Sequence, residues 1–584
     1  MAELGEIVRA GFVPRRQLLR AAALGSAGLA AAALLGCGDE GDDAASSASA
    51  PVTGAAQAAA GVGQLIKDPN LPYPYQFPDP PGTPKSGGTL RFISGYDISV
   101  FDPTKSSAGG TLQVTNPVYN RLLGFVTGAK MDPFKLELEP ELAKSWERSP
   151  DGMTFKFTLT PGVRWQNIAP LNGRAFVAED VRVAYEAYRT GAQASYFTNV
   201  DTIKAVDEAT LTVTMKRPVA DFVVPLAGRY LPIVPRELLD DGSIAKKAIG
   251  TGPMILDSAE ASAVLFKRNP DYWATKVLLD GFEIRITPDA AARLAAYRAG
   301  QVDYAYRITE TLTDVKNVLK TNPDVQVQLT PLVSNTFALA LNLSLPKYSD
   351  ERVRQAISLA IDRPTMINIL AEGLGKSLPT TPWDLLFDKE PSGAELGRWW
   401  RYAPDESKQL LRAAGVDGLK INSTYYAYGP YNTRASEILT DQLRAVGIEL
   451  SDRSVDYTQF NSQWTTGKLA EATTSGWQAA GYDHDNYFYN QVHSTAPGNR
   501  IKLNDAQMDK WAEQQQVQLN PTERRAIHRK MWDYELEKVF RITSPLGFNF
   551  QTYHPWVRGI RSGGRGTSVS YDEGAMIESA WLDK

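Results

Sequence analysis

The chain has a single cysteine, Cys37, in 584 residues. No internal disulfide is possible, so no covalent cross-link within the chain holds the fold. The composition allows that: 43% of the residues are hydrophobic and 22% charged. These are globular proportions, and the length points to more than one domain. The formal charge is −4. Residues 1–36 carry Arg9, Arg15, Arg16 and Arg20 against Glu3 and Glu6, so the remainder is slightly more acidic still. With no basic excess to neutralise phosphates, nucleic acid is a poor candidate partner. After residue 36 no apolar run is long enough to span a bilayer.

The position of the cysteine is as informative as its solitude. Pro14-Arg15-Arg16-Gln17-Leu18-Leu19-Arg20 leads into small and apolar residues from Ala21 to Gly36. A positive stretch followed by so short an apolar run reads as a secretory signal, not a membrane span. Arg15 and Arg16 followed by Gln-Leu-Leu resemble a twin-arginine signal, a route that usually carries proteins folded before export. Leu34-Leu35-Gly36-Cys37 resembles a bacterial lipoprotein box, in which the thiol is acylated and the peptide is cut just before it. The expectation is a signal peptide over 1–36 and a lipid anchor on Cys37, holding the protein on the extracytoplasmic side of the cell membrane. Two or three acyl chains on one residue anchor firmly where one would not.

From Gly38 to about Pro84 the sequence is rich in Ala, Ser, Gly, Asp and Pro, with Pro72, Pro74, Pro78, Pro80, Pro81 and Pro84 toward its end. Such a segment buries little and predicts a flexible spacer over 37–84. The folded body begins near Lys85. Thr154–Leu159 and Leu211–Met215 alternate apolar and polar, which predicts half-buried strands. Ser349-Asp350 can cap a helix with Val353, Ala356, Ile357, Ala360 and Ile361 on one face, stopped by Pro364. Pro404 can open a helix that Gly415 closes, and Gly447 closes another. The class is α/β or α+β in at least two lobes.

Catalytic motifs are scarce. There is no His-Glu-x-x-His, Gly-x-Ser-x-Gly, Walker loop or full Gly-x-Gly-x-x-Gly. Ser243–Lys246 and Ser344–Lys347 have Ser-x-x-Lys spacing, but no Lys-Thr-Gly accompanies them. Asp483-His484-Asp485 holds metal-ligand types, yet three adjacent residues cannot all point inward on a regular element, so a loop-structuring role is favoured. His528, among Glu523, Arg524, Arg525 and Arg529, is expected at the surface. A glycosidase carboxylate pair has no motif to mark it. The chain is expected to be no enzyme, with no cofactor and no metal.

A series of short motifs is more telling. Gly87-Gly88-Thr89-Leu90, Phe101-Asp102-Pro103, Tyr119-Asn120-Arg121-Leu122, Pro140–Glu147, Ser149-Pro150-Asp151-Gly152, Pro161–Trp165 and Ala178-Glu179-Asp180-Val181 come first. Gly250-Thr251-Gly252-Pro253, Asn269–Trp273, Ala299–Asp303, Asp350–Arg363, Leu410–Gly415 and Gly476-Trp477 with Asp485–Phe488 follow in order. In this order they resemble the extracytoplasmic solute-binding proteins of the oligopeptide/dipeptide/nickel class, which deliver ligands to ABC importers. The turn-like members, Ser149–Gly152 and Gly250–Pro253, read as structural. One departure is also structural: where the family often has an N-capping Thr before Ala178, this chain has Val177, which has no oxygen to offer.

The resemblance implies a two-lobed periplasmic-binding-protein-like clamshell (type II, class C), with an extra subdomain in the first lobe at about 126–234. It implies lobe I over 85–330, lobe II over 331–545 and a return to lobe I over 546–584, with ligand held between the lobes. In peptide-binding members an Asp three residues after the Gly-Trp tryptophan pairs with the ligand's ammonium group; here that position is Ala480. Asp483 can stand in for it. The expected ligand residues are Trp477, Tyr482, Asp483, Tyr425, Tyr428, Trp464 and Tyr96, whose aromatic rings suit sugars or ring-bearing ligands as well as peptides. The implied partners are a peptide, oligosaccharide or similar small solute and the membrane permease of an ABC importer, with the receptor itself a monomer. A ligand-dependent sensor is the alternative of a different kind.

Overall fold

The computed structural model describes residues 83–96, 98–126, 137–305, 312–330, 337–373, 375–426, 429–477, 484–547, 549–560 and 573–584. Arg15, Arg16, Cys37 and most of the expected spacer lie outside the described residues.

Two large sheets organise the chain. One has seven strands, ordered Gln326–Thr330, Asn549–Tyr553, Tyr304–Ala305, Thr89–Ser94, Gly281–Ile286, Ala263–Arg268, Met254–Ala259. The other has five, ordered Glu449–Val455, Lys420–Tyr426, Ala472–Trp477, Phe337–Leu341, Ile542–Thr543. The chain passes from the first sheet to the second between Thr330 and Phe337, and back between Thr543 and Asn549. This gives the two-lobed mixed α/β architecture that the motif order implies.

A separate four-stranded antiparallel sheet is ordered Ala143–Arg148, Thr154–Leu159, Thr210–Met215, Val200–Ala205, with the helix Ala178–Arg189 packed on it. The alternation in sequence explains it. Phe155, Phe157, Leu159, Leu211, Val213 and Met215 all point to one buried face, while Lys156 is exposed. Ser149–Gly152 makes the turn between its first two strands: the Ser149 amide donates to the Thr154 carbonyl at 2.9 Å, and Gly152 sits at φ 70°.

The helices follow their caps. Asp350 accepts from the Arg352 amide at 2.9 Å and opens Glu351–Leu359. Pro364 does not act as that helix's stop. The helix ends at Leu359, and Asp362 caps a second helix, Arg363–Ala371, in whose first turn Pro364 sits. Pro404 opens Pro404–Ala413, and Gly415, at φ 70°, lies just beyond its end. At the start of Ala178–Arg189 two neighbouring amides find other acceptors, and the Asp180 amide turns back to the Val177 carbonyl at 2.9 Å. The Ala178 amide donates to the Glu208 carbonyl at 2.8 Å, and the Val177 amide donates to the Asp180 carboxylate at 3.0 Å.

Several of the ordered motifs meet at one buried side chain. Asn120 donates to Glu141 at 2.9 Å and to the Tyr272 hydroxyl at 3.2 Å, while its carbonyl oxygen accepts from Thr251 at 2.9 Å and from the Trp273 indole at 3.3 Å. Motifs separated by 152 residues are thus tied by a single amide. Gly250 and Gly252 are there for close approach: a Cβ on either would lie 1.9 Å or 2.6 Å from the Val118 carbonyl. Gly250–Pro253 is held close against Val118 by packing.

Candidate ligand-binding cleft

Strand direction decides where a ligand can sit. In open sheets, the crevice lies beyond the carboxyl ends of parallel strands. In the five-stranded sheet, Lys420–Tyr426 runs parallel to both Glu449–Val455 and Ala472–Trp477. Their carboxyl ends place Tyr425, Tyr426, Val455 and Trp477 along one edge. Trp477 pairs with Phe337, the first residue of the strand that enters from the crossover. In the seven-stranded sheet, Thr89–Ser94 runs parallel to Gly281–Ile286 and Tyr304–Ala305. Tyr304–Ala305 is antiparallel to Asn549–Tyr553, which leaves the crossover. Both sets of carboxyl ends therefore lie on the crossover side of their sheets. Tyr96 follows the first of them.

The expected residues divide on this frame. Tyr96 is half-buried with its ring over the start of the helix Gly109–Val118; a Cβ on Gly109 would be 2.8 Å from it. Tyr425 is half-buried at the edge of the second sheet. The backbone of Trp477 ends its strand at the same edge. Trp464 is 1% exposed. It stacks on Phe460, which packs on Tyr426, and Arg500 lies 5.4 Å over its ring, so here Trp464 sits beneath the strand ends rather than facing solvent. Tyr428, Ala480, Tyr482 and Asp483 lie outside the described residues.

Other polar groups stand at the same edge. Thr543 pairs with Ala338, which pairs with Gly476, so it shares a row with the residue before Trp477. Among the described residues, its hydroxyl and that of Thr381 are buried without a partner. Arg541 is buried with them, donating to Thr380 Oγ1 and the Gln491 carbonyl, each at 3.1 Å, and pairing with Glu535. Sequence reasoning missed these residues, because no motif marks a hydroxyl whose importance comes from its row in a sheet.

His484 and Asp485 have structural partners. Asp485 accepts from Gln515 at 2.8 Å, Gln516 at 3.0 Å and Arg524 at 2.9 Å. His528 overturns the surface expectation: it is 1% exposed, stacked 4.1 Å from Phe488, and bonded to Gln515 at 3.0 Å. Burial pushes its imidazole well below the usual value, so it is neutral. The charged neighbours Glu523, Arg525 and Arg529 concealed the helix's inner stripe of Arg524, His528, Met531 and Trp532.

Residues 137–499 match the model of the bacterial extracellular solute-binding proteins, family 5 (middle). That is more than half of the chain. The chain belongs to this family. As a family 5 solute-binding protein it is 26% identical over 448 residues to the heme-binding protein A of Haemophilus influenzae, covering 71% of this chain and 78% of that one. It is also 26% identical over 435 residues to the dipeptide-binding protein of Escherichia coli, covering 68% and 78%. Among solved structures it resembles the ABC transporter-associated periplasmic binding protein DppA of Helicobacter pylori in complex with the peptide STSA. The TM-score there is 0.70 at 24% identity, covering 86% of this chain and 99% of that one. The family is one of extracellular solute-binding proteins.

Proposed function

We propose that this family 5 solute-binding protein is a lipid-anchored receptor. It captures a peptide or similar small solute between its lobes, over 85–330 with 546–584 and over 331–545, and hands it to the permease of an ABC importer. The observation that carries this is the pair of carboxyl edges on the crossover side of the two sheets, in a chain of this family. Trp477, Tyr482, Asp483, Tyr425, Tyr428 and Tyr96 are the proposed contacts, with Trp464 behind them. Affinity then comes from water-excluded contacts to both lobes, since closure costs freedom that those contacts must offset.

Ala480 favours a second reading, in which the solute is not a free peptide. A buried ammonium without a counter-charge is costly, and one relative is named for heme and another for dipeptides. The test is a thermal-shift screen of the purified protein against di- and oligopeptides, hemin and oligosaccharides. Stabilisation by peptides alone supports the first reading and removes the doubt that Ala480 raises. Stabilisation by hemin or a glycan alone supports the second. Turnover of any glycan would contradict both.

The anchor is tested separately. Cys37→Ser should move the protein from the membrane fraction to the soluble fraction; unchanged partition would refute lipidation at that residue.

A further inference from the structure

A buried carboxylate in the first lobe finds its partners in the second. Asp221 follows the four-stranded sheet of the first lobe and is 8% exposed in its side chain. Its Oδ2 accepts from the His484 amide at 2.9 Å and lies 3.0 Å from the His484 ring Nδ1. Arg524 Nη1 approaches the same oxygen at 3.4 Å. Both partners belong to the second lobe: Arg524 on the helix Pro521–Lys538, His484 shortly after the strand Ala472–Trp477.

Neighbouring contacts run in the same direction. Arg217 donates to Gln516 Oε1 at 2.5 Å, and the Ala220 amide donates to the Gln516 carbonyl at 3.0 Å. Leu519 packs against Gly152, where an added Cβ would meet it at 2.8 Å. The partners are themselves held in place. Arg524 is fixed by Asp485 and by Gln515, and the His484 ring stacks on His528 at 4.9 Å.

We infer that Asp221 is an interlobe latch. It docks into a preformed second-lobe socket of His484 and Arg524, and so fixes the angle at which the subdomain of the first lobe meets the second. The inference rests on the two-lobed fold and on no particular solute. A carboxylate taken from water into such a socket gives up hydration, and that loss offsets part of the attraction it gains. The latch therefore selects one arrangement of the lobes without locking it. Opening returns the carboxylate to water, while the Arg524 charge remains compensated by Asp485. Because His484 also contributes its backbone amide, no single side chain of the second lobe accounts for the whole contact.

The test is the distance between spin labels on the two lobes, measured without solute in the Cys37→Ser protein. Labels at V206C and D405C report across the lobes; both sites are well exposed, at 63% and 92%. Labels at V206C and D257C report within the first lobe. With Asp221 intact, the interlobe pair should show one short-distance population. Asp221→Ala and Asp221→Asn should each add a longer population, and His484→Ala a smaller one, with the first-lobe pair unchanged. Cooperative melting of each variant confirms that it is folded. If Asp221→Ala does not fold, Asp221→Asn and His484→Ala carry the same comparison. An unchanged interlobe distribution in folded variants overturns the latch. A longer first-lobe distance also overturns it, because the effect would then lie inside the lobe.

Discussion

At Asp452 a half-buried carboxyl group has no cation partner among the described residues. Ser436 and Thr474 both donate to its Oδ2 at 2.5 Å. Ser423 faces it in register across parallel strands, and its hydroxyl also serves the carboxyl group. Burial raises its titration above the ordinary carboxylate range, and the hydroxyl bonds oppose that only in part. With a raised folded value, the folded state binds more protons than the unfolded chain from about pH 4 up to that value. Stability contributed here is present at low pH and lost as pH rises. Asp452→Asn should therefore melt higher than wild type at pH 8, with the gap closing toward pH 4. A mutant that melts lower at every pH would show that the charged form is the one the fold wants. Nothing in the sequence singled Asp452 out, because its character comes from three hydroxyls supplied by two other strands and a helix.

Elements were more legible than sites. Strands with strict alternation and helices with Asp or Pro at the start and Gly at the end stand where the sequence puts them, since each is decided by its own residues. What local pattern could not show is reassignment of a signal to the next element, as with Pro364, or the inner face of a helix whose visible neighbours are charged, as with His528. The helix Ala178–Arg189 shows the same boundary. Its want of a cap was readable at Val177; the acceptors its neighbouring amides take, Glu208 and Asp180, needed the fold. Asp180 also accepts from the Trp165 indole at 3.0 Å and two bonds from Arg174. Val177→Thr should add a side-chain cap and raise stability by about 0.5–1 kcal/mol in denaturant melts. Asp180→Ala removes the acceptor of the Val177 amide and leaves Trp165 and Arg174 short of one, at a cost of about 3 kcal/mol. No gain in stability from Val177→Thr would show that the helix start is not short of an acceptor.

Across the whole molecule, the first lobe is closed by chain that has already visited the second. Asp303, beside the strand Tyr304–Ala305, has a fully buried side chain. It accepts from Arg91 through two oxygens at 2.9 and 3.0 Å, from the Trp556 indole at 2.6 Å and from Lys584 at 2.9 Å. One carboxylate thus joins the first strand of the body to the returning segment. Burial alone would raise its titration, but the bonds from Arg91, Lys584 and Trp556 outweigh it and hold the group at about 2. The unfolded chain, titrating near pH 4, binds the proton first. The stability from Asp303 is therefore fully present above about pH 4 and drains away as pH falls toward 2, the reverse of Asp452. Asp303→Asn should lower the melting temperature at pH 7 and flatten its fall between pH 4 and pH 2. If the acid limb of the mutant stays as steep as that of wild type, the acid sensitivity lies elsewhere, and Asp221, also held below the ordinary range by Arg524 and His484, is the next carboxylate to test. The two outcomes separate in one further measurement. Loss at Asp221 loosens the contact between the lobes and lengthens the interlobe label distance before the melt, whereas loss at Asp303 opens the first lobe and appears only in the melt.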